Sequence, residues 1–175
     1  MNDTPKNDIL KDADKHLCVA LQQNARASFS GIAETLGLSV PAVSERVHKL
    51  ENAGIIEGYH AQLNHVALGY DVTAFIFVDI ESSLHYPAFI ERCRNLPGVL
   101  ECHAITGAAS HLLKVRIHSV KSLEQLLSAI QQFDGVQRTI TNLVLSTHIE
   151  TLQLNLGAVQ PPERKKPQRN DNTTI

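Results

Sequence analysis

The sequence predicts an α+β chain in two parts: three short helices, then a sheet domain of order β-α-β-β-α-β. Two observations carry this expectation. Apolar residues recur at three- and four-residue intervals from Leu10 to Leu50, the period of amphipathic helices, and give way after Asp71 to runs rich in β-branched and aromatic residues. The second observation is an internal echo. "LPGV", Leu96 to Val99, and "FDGV", Phe133 to Val136, each close a helical stretch and open a strand.

Composition bounds the function classes. Of the 175 residues 43% are hydrophobic, and no apolar run approaches the roughly 18 residues that span a bilayer, so a soluble chain without membrane segments is expected. The start "MNDTPKND" shows no basic region followed by an apolar one, which predicts a cytoplasmic location. Cys18, Cys93 and Cys102 are odd in number and far apart, as reduced core thiols would be. The formal net charge of -2 supplies no general attraction to nucleic acid, so any such function must rest on local architecture.

Residues 1–9 are polar and carry a proline, and disorder is expected there. Residues 10–64 form the helical unit. Leu10, Ala13, Leu17, Ala20 and Leu21 make the apolar stripe of a first helix. Ser28 caps a second, with Phe29, Ile32, Ala33 and Leu36 inward, and Gly37 ends it. Ser39 caps a third helix, with Pro41 in its first turn, where a missing amide removes no intrahelical bond. That helix runs to about Ala53. Its tight, glycine-containing connection to the second helix is the layout of a helix-turn-helix, at about 29–48.

At about 100° per residue, Val43, Val47 and Leu50 point toward the first two helices while Pro41, Glu45 and His48 point away, with Ser44 and Lys49 beside them. Periodicity leaves two readings open. The outward face is either a reading head for a DNA major groove or the solvated side of a three-helix packing unit. After Gly54, "IIEGYHAQLN" is expected to form short extended pieces, a wing or a connector, and residues 65–71 are a linker.

Residues 72–150 are the sheet domain. "VTAFIFVDI" is a buried strand. A helix entered at Pro87 carries Phe89, Ile90, Cys93 and Leu96. "VLECHAIT" and "LLKVRIH" are strands joined by "GAASH", a helix from Ser122 to Phe133 follows, and "QRTITNLVLSTHI" is the last strand. Two βαβ halves of this kind make a ferredoxin-like sandwich with both helices on one face of the sheet. Val115, Ile117, Val144 and Ile149 are expected on the other, bare face, where self-association would cover them. Residues 157–175 are proline-rich and polar, and a disordered tail is expected.

A winged helix-turn-helix unit followed by this sheet domain resembles the Lrp/AsnC family of bacterial and archaeal feast/famine transcription regulators, over roughly Leu10 to Glu150. The matching words are "ERVHKLENAGIIEGYHAQLN", Glu45 to Asn64, and "LLKVR", Leu112 to Arg116. The resemblance implies a sequence-specific regulator that binds double-stranded DNA. It further implies a homodimer, or a dimer-based tetramer or octamer, built through the sheet domain and gripping a partly palindromic operator. Residue chemistry then assigns Arg46 and Lys49 to phosphate, with Arg26 and Lys15 as helpers, and Ser44, Glu45 and His48 to base edges, on a helix entered through Ser39 and Pro41. Glu45 also stands four residues before Lys49, the spacing of a surface ion pair.

Other classes find less support. There is no Walker loop, no GxSxG elbow and no HExxH helix, so no enzyme is expected and no cofactor. Cys102 and His103 are adjacent on a strand and face opposite sides, so no metal site is expected from them. The alternative is a ligand-sensing ferredoxin-like module without DNA-binding function.

In family members that respond to amino acids, the loop between the second and third strands commonly reads glycine-acid-x-acid. Here "TGAASHLL" keeps Gly107 but has Ala108 and Ser110 at the acidic positions. A desolvated ammonium group needs a carboxylate or several hydrogen bonds, and one neutral hydroxyl is a poor substitute. Ordinary amino acids are therefore expected to bind weakly or not at all. Thr106, Gly107, Ala108, Ser110 and His111 are the contacts expected for a less cationic effector, and the bland alternative is a tight hairpin closed by small residues.

Overall fold

A computed structural model describes residues 10–157. The disorder expected for 1–9 and for 158–175 lies outside the described residues. The described residues divide into two compact units, 62–150 forming one, and 10–61 together with 151–157 forming the other.

The helical unit contains α1 (Asp12–Gln23), α2 (Phe29–Leu36) and α3 (Val40–Asn52). Ser28 Oγ accepts from the Gly31 amide at 3.2 Å, and Ser39 Oγ accepts from the Ala42 amide at 3.3 Å. Each satisfies one of the amides that a helix start leaves without a partner. Between them Gly37 adopts φ 64°, closing α2 and allowing the short turn into α3. Leu17, Leu21, Ile32, Ala33, Val43, Val47 and Leu50 form the core. Burial of each aliphatic side chain contributes roughly 1.5–3 kcal/mol, so the three on α3 fix which way that helix turns.

The wing is absent. No strand occurs between α3 and β1 (Val72–Ile80), and Ile55–Asn64 is a connector without a hydrogen-bonded β partner. An extended piece becomes a wing only by pairing, and nothing in this segment folds back to pair with it. Its start is held by the Ile55 and Ile56 amides, both donating to the Leu50 carbonyl, and by Tyr59 Oη donating to Glu51 Oε1 at 3.0 Å.

The sheet unit continues with α4 (Tyr86–Arg94), β2 (Val99–Ala104), β3 (His111–Ile117), α5 (Val120–Gln131) and β4 (Val136–Leu143). All strand pairs are antiparallel, in the order β2-β3-β1-β4. Phe89 and Cys93 from α4 and Leu123, Leu126 and Ile130 from α5 share one core with Ala74, Ile76, Val78, Leu113, Val115 and Ile117. This reverses one expectation. Val115 and Ile117 lie on the helix-covered face, 0% and 6% exposed, because they share strand parity with Leu113. The open face instead carries Phe75, Phe77, Leu112 and Ile140 among Lys114, Arg116 and Arg138, as the register Phe77↔Leu112 and Phe77↔Ile140 requires.

The last strand is also shorter than expected. Leu143 pairs with Ala74 and the Val144 amide still reaches the Thr73 carbonyl, but β1 begins at Val72, so the ladder runs out of partner. Val144 and Ile149 are therefore not strand residues. The chain crosses to β3, where Glu150 meets Lys114 and Arg116.

The echoed "LPGV" and "FDGV" have one physical cause. Gly98 (φ 90°) gives its carbonyl to the Arg116 amide, and a Cβ there would lie 2.7 Å from Ile117 Cγ2. Gly135 (φ 83°) gives its carbonyl to the Glu81 amide, and a Cβ there would overlap the His85 ring. Each helix-to-strand turn brings backbone against its neighbour at a positive φ, which favours glycine.

Candidate DNA-recognition helix and effector loop

The three core contacts of α3 leave Pro41, Glu45, His48 and Lys49 exposed and Ser44 half-buried. Glu45, Lys49 and His48 have side-chain partners within the helix. Lys49 Nζ donates to Glu45 Oε1 at 2.6 Å, one helical turn away, and this hydrogen bond lowers the Glu45 carboxyl below its ordinary range. His48 Nδ1 lies 3.1 Å from Glu51 Oε2. Exposed pairs of this kind are weak and readily exchange partners, so they leave Lys49 and Glu45 able to turn toward an approaching polyanion or base edge.

Arg46 is different. Its Nη1 donates to Asp14 Oδ1 of α1 at 2.7 Å, with the two side chains 33% and 19% exposed. The guanidinium expected on phosphate is thus engaged inside the unit, tying α3 to α1. Asp14 escaped the sequence reading because an acid in the first turn of a helix already has a local reason to be there, the amino-terminal dipole. The Ser39 hydroxyl is engaged as the cap of α3. Lys15 lies 3.9 Å from Asp12, and Arg26 is exposed in the α1–α2 connection.

The loop between β2 and β3, where effector contacts were expected, is closed from within. The Ser110 amide and hydroxyl both donate to the Val78 carbonyl, at 3.1 and 3.0 Å, and the Ser110 carbonyl accepts from the Ile105 amide. His111, expected among the effector contacts, is 1% exposed and sits in the core against Tyr86 and Phe89. Because Ser110 donates its hydroxyl proton to Val78, the 3.0 Å contact to His111 Nδ1 makes that nitrogen the donor. Nε2 then carries a buried lone pair with no hydrogen-bond partner among the described residues. Burial pushes the imidazole below its ordinary range. Thr106, Gly107 and Ala108 remain exposed, and the Ala108 carbonyl lies 3.5 Å from Arg138 Nη2. Among the described residues no group of three or more His, Cys, Asp or Glu is placed to hold a metal ion, and no helix is long and apolar enough to cross a membrane.

Comparison with known proteins agrees with this architecture. Residues 12–51 match the model of the AsnC-type helix-turn-helix domain, and residues 73–154 match that of the Lrp/AsnC ligand binding domain. The chain is 33% identical over 145 residues to the regulatory protein AsnC of Escherichia coli K12, covering 82% of this chain and 95% of that protein. It is 35% identical over 144 residues to the transcriptional regulator LrpA of Mycobacterium tuberculosis, covering 81% and 93%. Among solved structures, a transcriptional regulator of Neisseria meningitidis in complex with L-Met superposes with a TM-score of 0.79 at 28% identity, covering 83% of this chain and 96% of that one. Helices, sheet order and both family models converge, and the chain belongs to the Lrp/AsnC family of transcriptional regulators.

Proposed function

We propose that this regulator reads its operator with the exposed face of α3 as an even-numbered assembly in the cytoplasm. In this reading Pro41, Ser44, Glu45 and His48 meet base edges and Lys49 meets phosphate. Arg46 acts through Asp14, setting the angle of α3, and Ser39 sets its start. The observation that carries the reading is the orientation of α3, whose stripe of Val43, Val47 and Leu50 is 0–5% exposed and turns the polar face outward. A second copy on the open sheet face would cover Phe75, Phe77, Leu112 and Ile140, which the fold leaves without a covering layer.

The effector reading follows from the loop. The Neisseria relative holds L-Met, an amino acid. In this chain the loop 105–110 has no acid, and its serine hydroxyl already serves the Val78 carbonyl, which favours a ligand without a free ammonium group or none at all. Genome-wide capture of bound DNA, with and without added amino acids, tests both halves. A set of sites sharing a partly palindromic sequence, unchanged by amino acids, is expected, and uniform recovery of all DNA would overturn the recognition reading.

A further inference from the structure

All three cysteines are free thiols, and two of them meet in the sheet unit. Cys93 lies on the inward stripe of α4, one turn after Phe89, and is 1% exposed. Cys102 reaches the same core from β2 through an irregularity in the pairing. Val99 stands opposite Val115 and Glu101 opposite Lys114, so Leu100 is an extra residue in the ladder. Side chains alternate along a strand, and residues three apart face opposite sides unless one residue is inserted between them. The inserted Leu100 turns Cys102, which is paired with Leu113, to the helix-covered face that Val99 also occupies. There α4 packs on β2, and the Cys93 thiol donates a hydrogen bond to Cys102 Sγ.

The two thiols are chemically unequal. Cys102 is half-buried on the edge strand of the sheet, whereas Cys93 is enclosed. Burial raises both, Cys93 to about 12, while the hydrogen bond from Cys93 acts in the opposite direction at Cys102 by favouring its thiolate. An oxidant therefore meets Cys102 first, with a second sulfur already in contact behind it. Cys18, the third thiol, belongs to the core of the helical unit.

We infer that Cys93 and Cys102 are a peroxide-oxidised pair, whose disulfide clamps α4 to the edge strand β2 and gives the sheet unit an oxidised state distinct from its resting dithiol. The Cys102 thiolate attacks one oxygen of hydrogen peroxide, the O–O bond breaks, and the departing hydroxide takes up a proton to become water. Cys102 is left as a sulfenic acid. The Cys93 sulfur then attacks the Cys102 sulfur, the S–S bond forms, the S–O bond breaks, and hydroxide leaves with the Cys93 proton as a second water. Two thiols and one peroxide thus give one disulfide and two waters, with the peroxide accepting both electrons. Contact between the sulfurs favours this second step over further oxidation of Cys102. Burial slows the first step, because the thiolate is the nucleophile, so the pair answers sustained oxidant and not a brief pulse.

The test treats the full chain with hydrogen peroxide, then alkylates it with iodoacetamide in denaturant and measures its mass. The expected product takes up one alkyl group instead of three, and dithiothreitol restores the other two. Trypsin cleaves after Arg92, Arg94 and Lys114, so the digest should contain the dipeptide of Cys93 and Arg94 joined to the peptide 95–114. This map on the native chain decides the link even where a cysteine variant fails to fold. In folded Cys93→Ala, dimedone is expected to trap the sulfenic acid on Cys102. The oxidised native chain should unfold at a urea concentration about 1 M higher than the reduced one. Three alkylatable thiols after peroxide, a link through Cys18 or between chains, or an unchanged urea midpoint in the linked chain would overturn the clamp. An untrapped Cys102 in folded Cys93→Ala would overturn the route to it.

Discussion

Arg46 on α3 lies 2.7 Å from Asp14 on α1, and neither side chain is more than a third exposed. The pair ties α3 to α1. Asp14→Asn or Arg46→Gln is expected to destabilise the helical unit by about 1 kcal/mol, with the double variant costing little more than either single one. Urea titrations of the four proteins give the coupling energy. Strict additivity would show that the contact does not hold α3.

The exposed residues of α3 divide by chemistry. Lys49→Ala is expected to weaken binding to all duplexes alike and to lower the salt slope by about 1, whereas His48→Ala and Ser44→Ala shift sequence preference by about 1–3 kcal/mol at single positions. Titration against operators carrying single base substitutions separates the two patterns. Equal responses from all three variants would remove the assignment.

His111 ties stability to pH. Its buried ring stays neutral in the folded chain at pH values where the unfolded ring, with an ordinary value near 6.5, has taken a proton. The unfolded state therefore binds more protons below about pH 6.5, and stability contributed above that value is lost as pH falls, by at most about 1.4 kcal/mol per pH unit. His111→Phe is expected to flatten this loss. Urea midpoints for both proteins at about pH 7.5 and 5.5 measure it, and parallel losses would place the acid sensitivity in other groups.

Glu150 anchors the crossing that follows β4. Hydrogen bonds from Lys114 and Arg116 hold its carboxyl down at about 2, and Lys114 also reaches Glu101 at 3.1 Å. A depressed carboxyl stabilises above its unfolded value, and that contribution goes as pH falls from about 4.5 toward 2. Glu150→Gln is expected to cost about 1 kcal/mol at neutral pH, after allowance for solvent screening, and to speed hydrogen exchange at the Val144 amide. Unchanged exchange would show that the crossing is held by other contacts.

The effector loop gives a calorimetric prediction. Titration with the common amino acids is expected to show no heat of binding in the native chain, and the Ala108→Asp, Ser110→Asp double variant to bind at least one of them. Micromolar binding of leucine or lysine by the native chain would overturn the proposal.

Much of the architecture was legible in the residues, for definite reasons. Ser28, Gly37 and Ser39 mark helix boundaries by local chemistry, and the structure places a cap at each, with Pro41 in the first turn of α3. The βαβ echo was legible because both turns need glycine. The open sheet face was not, although "LLKVRI" alternates: Leu113, Val115 and Ile117 are the more apolar set and belong with the helices, leaving Leu112, Lys114 and Arg116 outside. The end of β4 depends on where β1 begins, which is a property of the pairing and not of the segment itself. The roles of Asp14, of Glu150 and of Gln22, whose Oε1 accepts from the Leu154 amide, share that origin, since each partner lies 32 or more positions away in the chain.

The packing of Leu156 onto the core that α1, α2 and α3 share also bears on the order in which the molecule is made. During synthesis α1, α2 and α3 emerge first and can bury Val43 and Val47 against Leu17 at once, but their core stays unfinished while the whole sheet domain is translated. Joining residues so distant in sequence carries a loop-closure cost that grows with the logarithm of the intervening length. A folded sheet domain shortens that loop to the few residues at its two ends. Completion of the DNA-binding unit is thus a late event in biogenesis, favoured once the sheet domain has folded, and a chain that misfolds between Val72 and Leu143 leaves its helices formed but unsealed.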